Sequence, residues 1–579
     1  MWLILLEGAG TSGGHDMFIR IKKNGPYEYL QLVSGERIDG KVRQTVIGTL
    51  GRKDLLEQSG GLEGLAASLG KFMRRAAVLA EHRSGKTEVL STTSLGPGLV
   101  FERLWEQLGL PDVVDELLTG RKFEFPVERA IFLTTLHRLM ASAGGRSDRA
   151  AERWREDYRI SGVEELDLQH LYRAMAWLGE ELGVGQQAEA TPFSPRCVKD
   201  QIEEALFARR RDLFTGLSLA FFDTTSIYFE GDGGETIGQY GHSKDHRPDL
   251  KQMVVGMVLD GTGRPVCSEI WPGNTADVKT LLPVVRRLHK RFGITQVCVV
   301  SDRGMISDST VAELEDKFPG LKYILGARLR SDHEVRDTVL GWPGAYQVVH
   351  GPRHHSKSPS PLKVKDVRFT AADNRDRRFV VCHNEEQATK DRADREAIVK
   401  ALEDQLKHGA KSLVGNKGYR KYLACQGEKV FGIDHATVKE EARFDGKWVL
   451  RTNWTEAPAA DVALRYKELW RVESIFRATK SILDTRPIYH KCDETIRGHV
   501  FCSFLALVLM KELEDRLSAK GQELEWGDVL RDLEALHVVT IKSGPATCEL
   551  RTTPRGVAGK VLVAAGVALG SAVRFLEAT

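Results

Sequence analysis

The sequence lacks the features that mark exported, disulfide-bonded or membrane-spanning proteins. Its eight cysteines stand singly, with no CxxC pair, which argues against a zinc knuckle or a disulfide framework and fits reduced thiols. No apolar run approaches the length needed to cross a bilayer, and the short one at the N-terminus has no basic segment before it. We therefore expect a cytoplasmic protein without a membrane partner. Met17 is a second candidate for the natural start.

The chain also lacks a marked excess of either charge. Its 83 lysines and arginines against 80 aspartates and glutamates leave a net charge of +3, so any nucleic-acid surface must come from local clustering of cations. The composition, with 42% apolar residues, is that of a globular protein. A chain of 579 residues is too long for one hydrophobic core, which predicts several domains.

What the sequence does contain is a change of pattern along its length. Alternation of apolar and polar residues around Asn24-Gly25-Pro26 and Asp39-Gly40 indicates a small antiparallel sheet, and helical periodicity follows it. Later segments return to short strands rich in Val, Ile and Phe. The predicted segments are a small β-sheet with a DNA contact at 17–60, a helical DNA-binding or dimerisation region at 61–215, a core in two parts at 216–329 and 456–540, a β-rich insertion at 330–455 and a tail at 541–579.

The core segment predicts an α/β fold with a mixed sheet. Three strands in quick succession, "LSLAFFDTTSIYFE", "QMVVGMVLD" and "PVCSEIWPG", indicate an antiparallel meander. Two further apolar strands, "ITQVCVVSD" and "LKYILGARL", alternate with helices, as parallel additions to the same sheet do. The weakly patterned tail predicts no element.

Three acidic residues stand where carboxylates need an explanation. Asp223 lies at the centre of the first core strand among aromatic residues, where an acid is costly to bury without a partner. Asp302 follows the fourth strand, at the edge where open α/β sheets place ligand-binding groups. Glu473 shares a helix face with Phe476 and Arg477. The alternatives are a turn cap or a structural ion pair for Asp302, and an ordinary i to i+4 pair for Glu473.

Three convergent carboxylates suit hard divalent ions. Mg²⁺ and Mn²⁺ prefer oxygen ligands. Two such ions about 4 Å apart activate a water or a 3′-hydroxyl on one side of a phosphodiester and stabilise the leaving oxygen on the other.

The segment "YKELWRVESIFRATK" carries a family signature. It resembles the Tyr-x2-Arg-x3-Glu-x6-Lys motif of the IS4 superfamily of transposases, with Tyr466, Glu473 and Lys480 in place and Leu469 where the motif has arginine. The segments "GHSKDHRPDLKQ", "WPGNTAD", "SDRGM", "RPIYHK" and "GKVRQTVIGTLGRKD" resemble the IS1634 family within that superfamily.

The resemblance implies a DDE transposase with a ribonuclease H-like catalytic core and an insertion domain. It implies that Asp223, Asp302 and Glu473 hold two Mg²⁺ or Mn²⁺ ions, without a covalent protein–DNA intermediate. The substrates would be double-stranded DNA at terminal inverted repeats and at the target, with no small-molecule substrate, near the bacterial nucleoid. Because both element ends must be held together, a homodimer is expected. Insertion-domain aromatics of related proteins grip an extruded base, which makes Trp448 and Trp454 candidates here.

Several cations around these acids are candidate DNA contacts. The predicted DNA-binding residues are Tyr466, Arg477, Lys480, Lys244, Arg247, Lys251 and Arg303. A solvated loop, with Asp245 and Asp249 pairing with the nearby bases, is the alternative for the cluster that contains Lys244. Asp277 is interpreted as a helix cap.

Two other functions stay open at this stage. One is a DNA-binding derivative with an inactive core, against which the three acids speak. The other is a ribonuclease H-like nuclease that cuts DNA but does not join strands.

Overall fold

The structure, a computed structural model, describes most of the chain. The described residues are 16–38, 41–58, 61, 87–140, 148–187, 190, 194–210, 218–294, 297–349, 361–407, 421–426, 430–481, 488–543 and 546–576. The predicted turn at Asp39-Gly40 lies outside them. They divide between two compact units, a smaller one of residues 1–92, 539–550 and 572–579 and a larger one of residues 93–538 and 551–571.

The smaller unit contains two sheet regions. Its elements are β1 (Asp16–Asn24), β2 (Tyr27–Ile38), β3 (Lys41–Arg52), helix α1 (Lys53–Gln58) and most of β4 (Thr87–Ser94), β16 (His537–Ser543), β17 (Ala546–Arg551) and β18 (Val573–Leu576). The strands β1 to β3 form the predicted N-terminal sheet, with Gly25 at φ 61° in its first turn. The other four strands pair in the order β18-β17-β16-β4, so the C-terminal tail is structured, contrary to its weak pattern.

The larger unit begins with helices that enclose an apolar core. These helices are α2 (Gly96–Gln107), α3 (Leu110–Leu117), α4 (Val127–Met140), α5 (Asp148–Trp154), α6 (Leu168–Leu178) and α7 (Val198–Arg210). The long helix α14 (Asp493–Ala519) packs across them. A Cβ on Gly498 of α14 would lie 1.9 Å from the carbonyl oxygen of Met175, so α14 and α6 touch through their backbones.

A nine-stranded mixed sheet forms the rest of the larger unit. Its strands are β5 (Leu219–Tyr228), β6 (Gln252–Asp260), β7 (Pro265–Pro272), β8 (Cys298–Ser301), β9 (Lys322–Gly326), β10 (Gln347–Val349), β11 (Leu362–Thr370), β12 (Asp376–His383) and β15 (Lys447–Thr452). The order is β10-β11-β12-β15-β9-β8-β5-β6-β7. As predicted, β5 to β7 are antiparallel and β8 and β9 add in parallel.

The strands from the predicted insertion continue this sheet. β15 pairs antiparallel with β9, and β12 pairs with β15, a continuation of the core sheet that was not predicted. A separate hairpin, β13 (Leu423–Gln426) and β14 (Val430–Ile433), lies beside helix α10 (Glu385–Lys407). The remaining helices are α8 (Leu281–Lys290), α9 (Asp308–Lys317), α11 (His435–Glu441), α12 (Ala459–Lys467), α13 (Trp470–Ser481), α15 (Trp526–Glu534) and α16 (Ala558–Ala565).

A buried ionic cluster joins the helices to the sheet edge. Arg287 of α8 contacts Asp200, Glu203 and Glu269, and Lys199 Nζ lies 2.7 Å from Asp200 Oδ1. All five side chains are buried. Among the described residues, no helix is long and apolar enough to cross a membrane.

Candidate active site

The register of two parallel strands brings Asp223 and Asp302 to neighbouring positions. Phe222 of β5 pairs with Ser301 of β8, so the residues that follow them are Asp223 and Asp302. Adjacent strands lie about 4.8 Å apart. The two aspartates predicted from the sequence therefore occupy neighbouring positions on adjacent interior strands of the core sheet.

The Asp223 carboxylate is half-buried and carries a perturbed pKa. Burial raises the pKa of Asp223 to about 6, while Lys244 and the Thr224 N–H counteract the rise and the charges of Asp302 and Asp277 add to it. The Thr224 N–H donates to Asp223 Oδ1 at 2.7 Å. Asp223 is thus within electrostatic reach of two other carboxylates, a condition that favours a bound cation.

Tyr466 orients the second aspartate. Its hydroxyl donates to Asp302 Oδ1 at 2.8 Å, and burial, with the nearby Asp302 charge, raises the pKa of the phenol. Gly326 at the end of β9 leaves room for this contact, because a Cβ there would lie 2.5 Å from the Tyr466 oxygen. The sequence predicted a DNA contact for Tyr466, and that contact stays a prediction. In the DNA-free protein the hydroxyl bonds to an acid of the site.

Glu473 lies on α13, a helix that packs against β5 and β6. Val472 and Phe476 are buried while Glu473 is exposed. In the part of the chain that the structure describes, no three His, Cys, Asp or Glu side chains lie close enough to hold a metal ion. The helix bearing the glutamate therefore adjoins the strand bearing Asp223, but the three carboxylates do not form a ready-made ion site. Leu469, at the motif arginine position, is buried.

Comparison with known proteins identifies the family. A model of the transposase DDE domain matches residues 215–509, a span that contains both aspartates and Glu473, and a model of the IS1634 family transposase N-terminal domain matches residues 19–82. The chain belongs to the IS1634 family of DDE transposases. No curated protein matches it.

A solved transposase structure shows weak similarity to the chain. A cryo-EM structure of the piggyBac transposase synaptic complex with hairpin DNA is 11% identical, with a TM-score of 0.36, covering 76% of this chain and 79% of that chain. The DDE domain makes the protein a metal-dependent DNA nuclease and strand transferase.

The basic loop after β5 is tied down by contacts within the transposase. Arg247 Nη2 lies 2.9 Å from Asp249 Oδ2, as the alternative interpretation of this loop expected. Lys251 Nζ donates to the Asp232 carbonyl at 3.2 Å. Lys244 Nζ donates to Thr224 and lies 3.2 Å from Asp277 Oδ2.

The other predicted DNA contacts surround the acids. Arg303 is exposed directly after Asp302, and Arg477 is exposed one turn after Glu473. Lys480 lies in the last turn of α13, with its side chain outside the described residues.

A cleft of about 450 Å³ opens beside Asp302. Its lining includes Asp302, Arg303 and Tyr466 together with Lys447 and Trp448 from the predicted insertion. Of the two candidate tryptophans, the transposase thus places Trp448 in the cleft. The second, Trp454, lies under Arg465, whose guanidinium carbon is 5.3 Å from the centre of the Trp454 ring.

Asp277 is the residue that sequence reasoning misassigned. It opens a short 3-10 helix, Asp277–Lys279, whose N-cap is Ala276. Its carboxylate bonds to Thr224 and Lys244 instead of capping the helix. Its position in "WPGNTAD", one of the segments that resemble the family, was the indication in the sequence that Asp277 has a role near the acids.

Proposed function

We propose that this transposase cuts DNA at the terminal inverted repeats of an insertion sequence and joins the 3′-hydroxyl ends to target DNA. The observation that carries the proposal is the parallel register that places Asp223 beside Asp302, with Tyr466 bonded to Asp302. The strand order β7-β6-β5-β8-β9 supports a ribonuclease H-like core. We assign Asp223, Asp302 and Glu473 as carboxylate ligands of two Mg²⁺ or Mn²⁺ ions.

The donor set suits such ions. All three ligands offer hard oxygens, and the raised pKa of Asp223 indicates a carboxylate that gains from a neighbouring cation. Glu473 is exposed on a helix that packs against the strand of Asp223, so no separate core lies between them. When bound, a pair of divalent ions would supply a deprotonated water or 3′-hydroxyl and stabilise the leaving oxygen.

The cations around the acids are proposed to hold the DNA backbone. Arg303 and Arg477 are exposed beside the assigned ligands, and we propose Arg247, Lys251 and, from its place in the family motif, Lys480 as further phosphate contacts. Phosphate contacts of this kind fix the position of DNA and give little sequence selectivity. A homodimer would bring two element ends together, and we place the protein in the bacterial cytoplasm at the nucleoid.

The ligand assignment is tested by charge-neutral substitutions. Asp223→Asn, Asp302→Asn and Glu473→Gln should each abolish cleavage of terminal-repeat DNA in Mg²⁺ or Mn²⁺, with DNA affinity in a gel-shift assay unchanged within about twofold, because phosphate-binding cations set most of that affinity. Glu313→Gln on α9, whose partners are the surface residues Arg286 and Lys317, is the matched control and should cut normally. A ligand variant that cuts at the wild-type rate is not a ligand.

Strand joining separates the proposal from its alternatives. Precleaved repeat DNA with a free 3′-hydroxyl, incubated with a target plasmid and metal, should give covalently joined products. A wild-type protein that cuts repeat DNA but never joins it would be a nuclease. One that binds the repeats without cutting would be an inactive derivative.

A further inference from the structure

Lys244 is held by three acceptors of the protein itself. A lysine ammonium has three N–H donors. The Lys244 ammonium donates to the Thr224 carbonyl at 2.8 Å and to Thr224 Oγ1 at 2.9 Å, and it lies 3.2 Å from Asp277 Oδ2. The Lys244 backbone N–H is bonded to Ser226 Oγ at 2.7 Å. These contacts occupy the ammonium and fasten the loop to β5.

Thr224 connects this ion pair to Asp223. Its backbone N–H donates to Asp223 Oδ1, and its hydroxyl donates to Asp277 Oδ1 at 2.8 Å. Successive side chains of a strand point to opposite faces of the sheet. The Thr224 side chain and its partner Asp277 therefore lie on the face of β5 opposite to the Asp223 side chain, and the Thr224 backbone N–H carries the hydrogen-bonded connection to the carboxylate.

Asp277 also touches the segment that carries Asp302. A Cβ on Gly304 would lie 3.3 Å from Asp277 Oδ2, so this carboxylate packs against the turn Arg303–Met305 that follows Asp302. One ion pair thus contacts the strand of the first aspartate and the turn of the second.

We propose that Lys244 and Asp277 are positioning residues that hold Asp223 and Asp302 in the arrangement that binds divalent ions. Their ion pair fixes Thr224, which fixes Asp223, and supports the turn after Asp302. This inference rests on the proposed assignment of the two aspartates as metal ligands. It gives Lys244 a role other than the phosphate contact expected from the sequence, because its donors are used within the protein.

The test measures ion binding apart from catalysis. Binding of Mn²⁺ to the full-length, DNA-free protein is followed by electron paramagnetic resonance, and binding of terminal-repeat DNA by gel shift at fixed salt. Lys244→Met and Asp277→Asn should each weaken Mn²⁺ binding about tenfold to hundredfold, as loss of outer-shell partners does. DNA affinity should stay within about twofold.

Further variants separate positioning from a structural role. Lys244→Arg, which retains donors for Thr224 and Asp277, should recover part of the Mn²⁺ affinity. The double variant Lys244→Met/Asp277→Asn should bind Mn²⁺ no more weakly than the worse single variant, because the pair acts as a unit. Lys317→Met on α9, which breaks a 2.9 Å surface contact with Glu313, is the control and should change neither measurement.

Three results would overturn this inference while leaving the ligand assignment intact. The first is wild-type Mn²⁺ affinity in Lys244→Met. The second is a loss of DNA affinity of about tenfold without a change in Mn²⁺ binding, which would make Lys244 a phosphate contact. The third is a loss of Mn²⁺ affinity in the double variant Lys244→Met/Asp277→Asn that equals the product of the losses in the two single variants. If Lys244→Met fails to fold, Lys244→Arg and Asp277→Asn decide the matter. Absence of Mn²⁺ binding by the wild-type protein would refute the ligand assignment itself and this inference with it.

Discussion

Replacement of Gly326 by alanine should displace Tyr466 from Asp302. The added Cβ would lie 2.5 Å from the Tyr466 hydroxyl oxygen and 2.9 Å from the Arg303 backbone nitrogen. Since non-bonded carbon contacts settle at about 3.5 Å or more, the hydroxyl must retreat by about 1 Å. A 2.8 Å hydrogen bond to Asp302 does not survive a shift of that size.

The expected loss follows from the bond that is broken. A hydrogen bond to a charged group contributes about 1.5–3 kcal/mol, and the lower end applies because Asp302 is exposed and water can replace the phenol. About 1.4 kcal/mol corresponds to a tenfold change. We therefore expect the cleavage rate at subsaturating Mg²⁺ to fall about tenfold, measured on terminal-repeat DNA across a metal titration. The overpacked site should also lower the free energy of unfolding by about 1–3 kcal/mol.

A second substitution tests whether the collision with the Tyr466 hydroxyl causes the losses of activity and stability. Tyr466→Phe removes the hydroxyl with which the new Cβ collides, so Gly326→Ala/Tyr466→Phe should be more stable than Gly326→Ala alone and should cut like Tyr466→Phe. Gly527→Ala in α15, where a Cβ meets nothing within 4 Å, is the control. Wild-type cleavage and stability in Gly326→Ala, or additive defects in the double variant, would refute this account of the Tyr466 contact.

Three further outcomes are expected. Arg287→Met leaves three buried carboxylates without their guanidinium and should lower the free energy of unfolding by about 3–5 kcal/mol. Arg286→Met breaks an ion pair at the surface and should lower the free energy of unfolding by about 1 kcal/mol or less. Equal effects of the two substitutions in denaturant titrations would contradict this ranking. Gly498→Ala should lower the melting temperature strongly because its Cβ would collide with the Met175 carbonyl, and an unchanged melting curve would show that α14 can move away from α6. Mg²⁺ at about one hundred times its dissociation constant should stabilise the DNA-free protein by about 2.7 kcal/mol; Asp223→Asn should lose this gain, and retention of the full gain would place the ion elsewhere.

The succession of core strands along the chain could be predicted because each strand has its own local sequence pattern. Each strand from β5 to β9 is a short apolar run bounded by turn residues, and three antiparallel strands followed by helix–strand alternation favour one sheet. The same reasoning located Asp223 and Asp302, since acids stand out in or directly after such runs. The family motif then added Tyr466 and Glu473, whose assigned roles stay predictions.

What could not be predicted depends on contacts between distant residues. The pairing of β15 with β9 joins segments more than one hundred residues apart, and no local pattern encodes it. Asp277 bonds to Thr224 on β5 and to Lys244 in the loop that follows β5, whereas its position before a helix in the sequence pointed to a cap. The C-terminal strands pair in a sheet that includes β4, a register that weak alternation does not specify.

The unbroken row of strands from β7 to β10 limits how the protein can move. A segment attached through flexible linkers could swing over the substrate, but this one is joined to β9 by the hydrogen bonds of β15. Gly326, beside Tyr466, is itself one of the paired positions. A displacement of the outer strands would therefore strain the backbone at Gly326, next to the residue pair Tyr466 and Asp302.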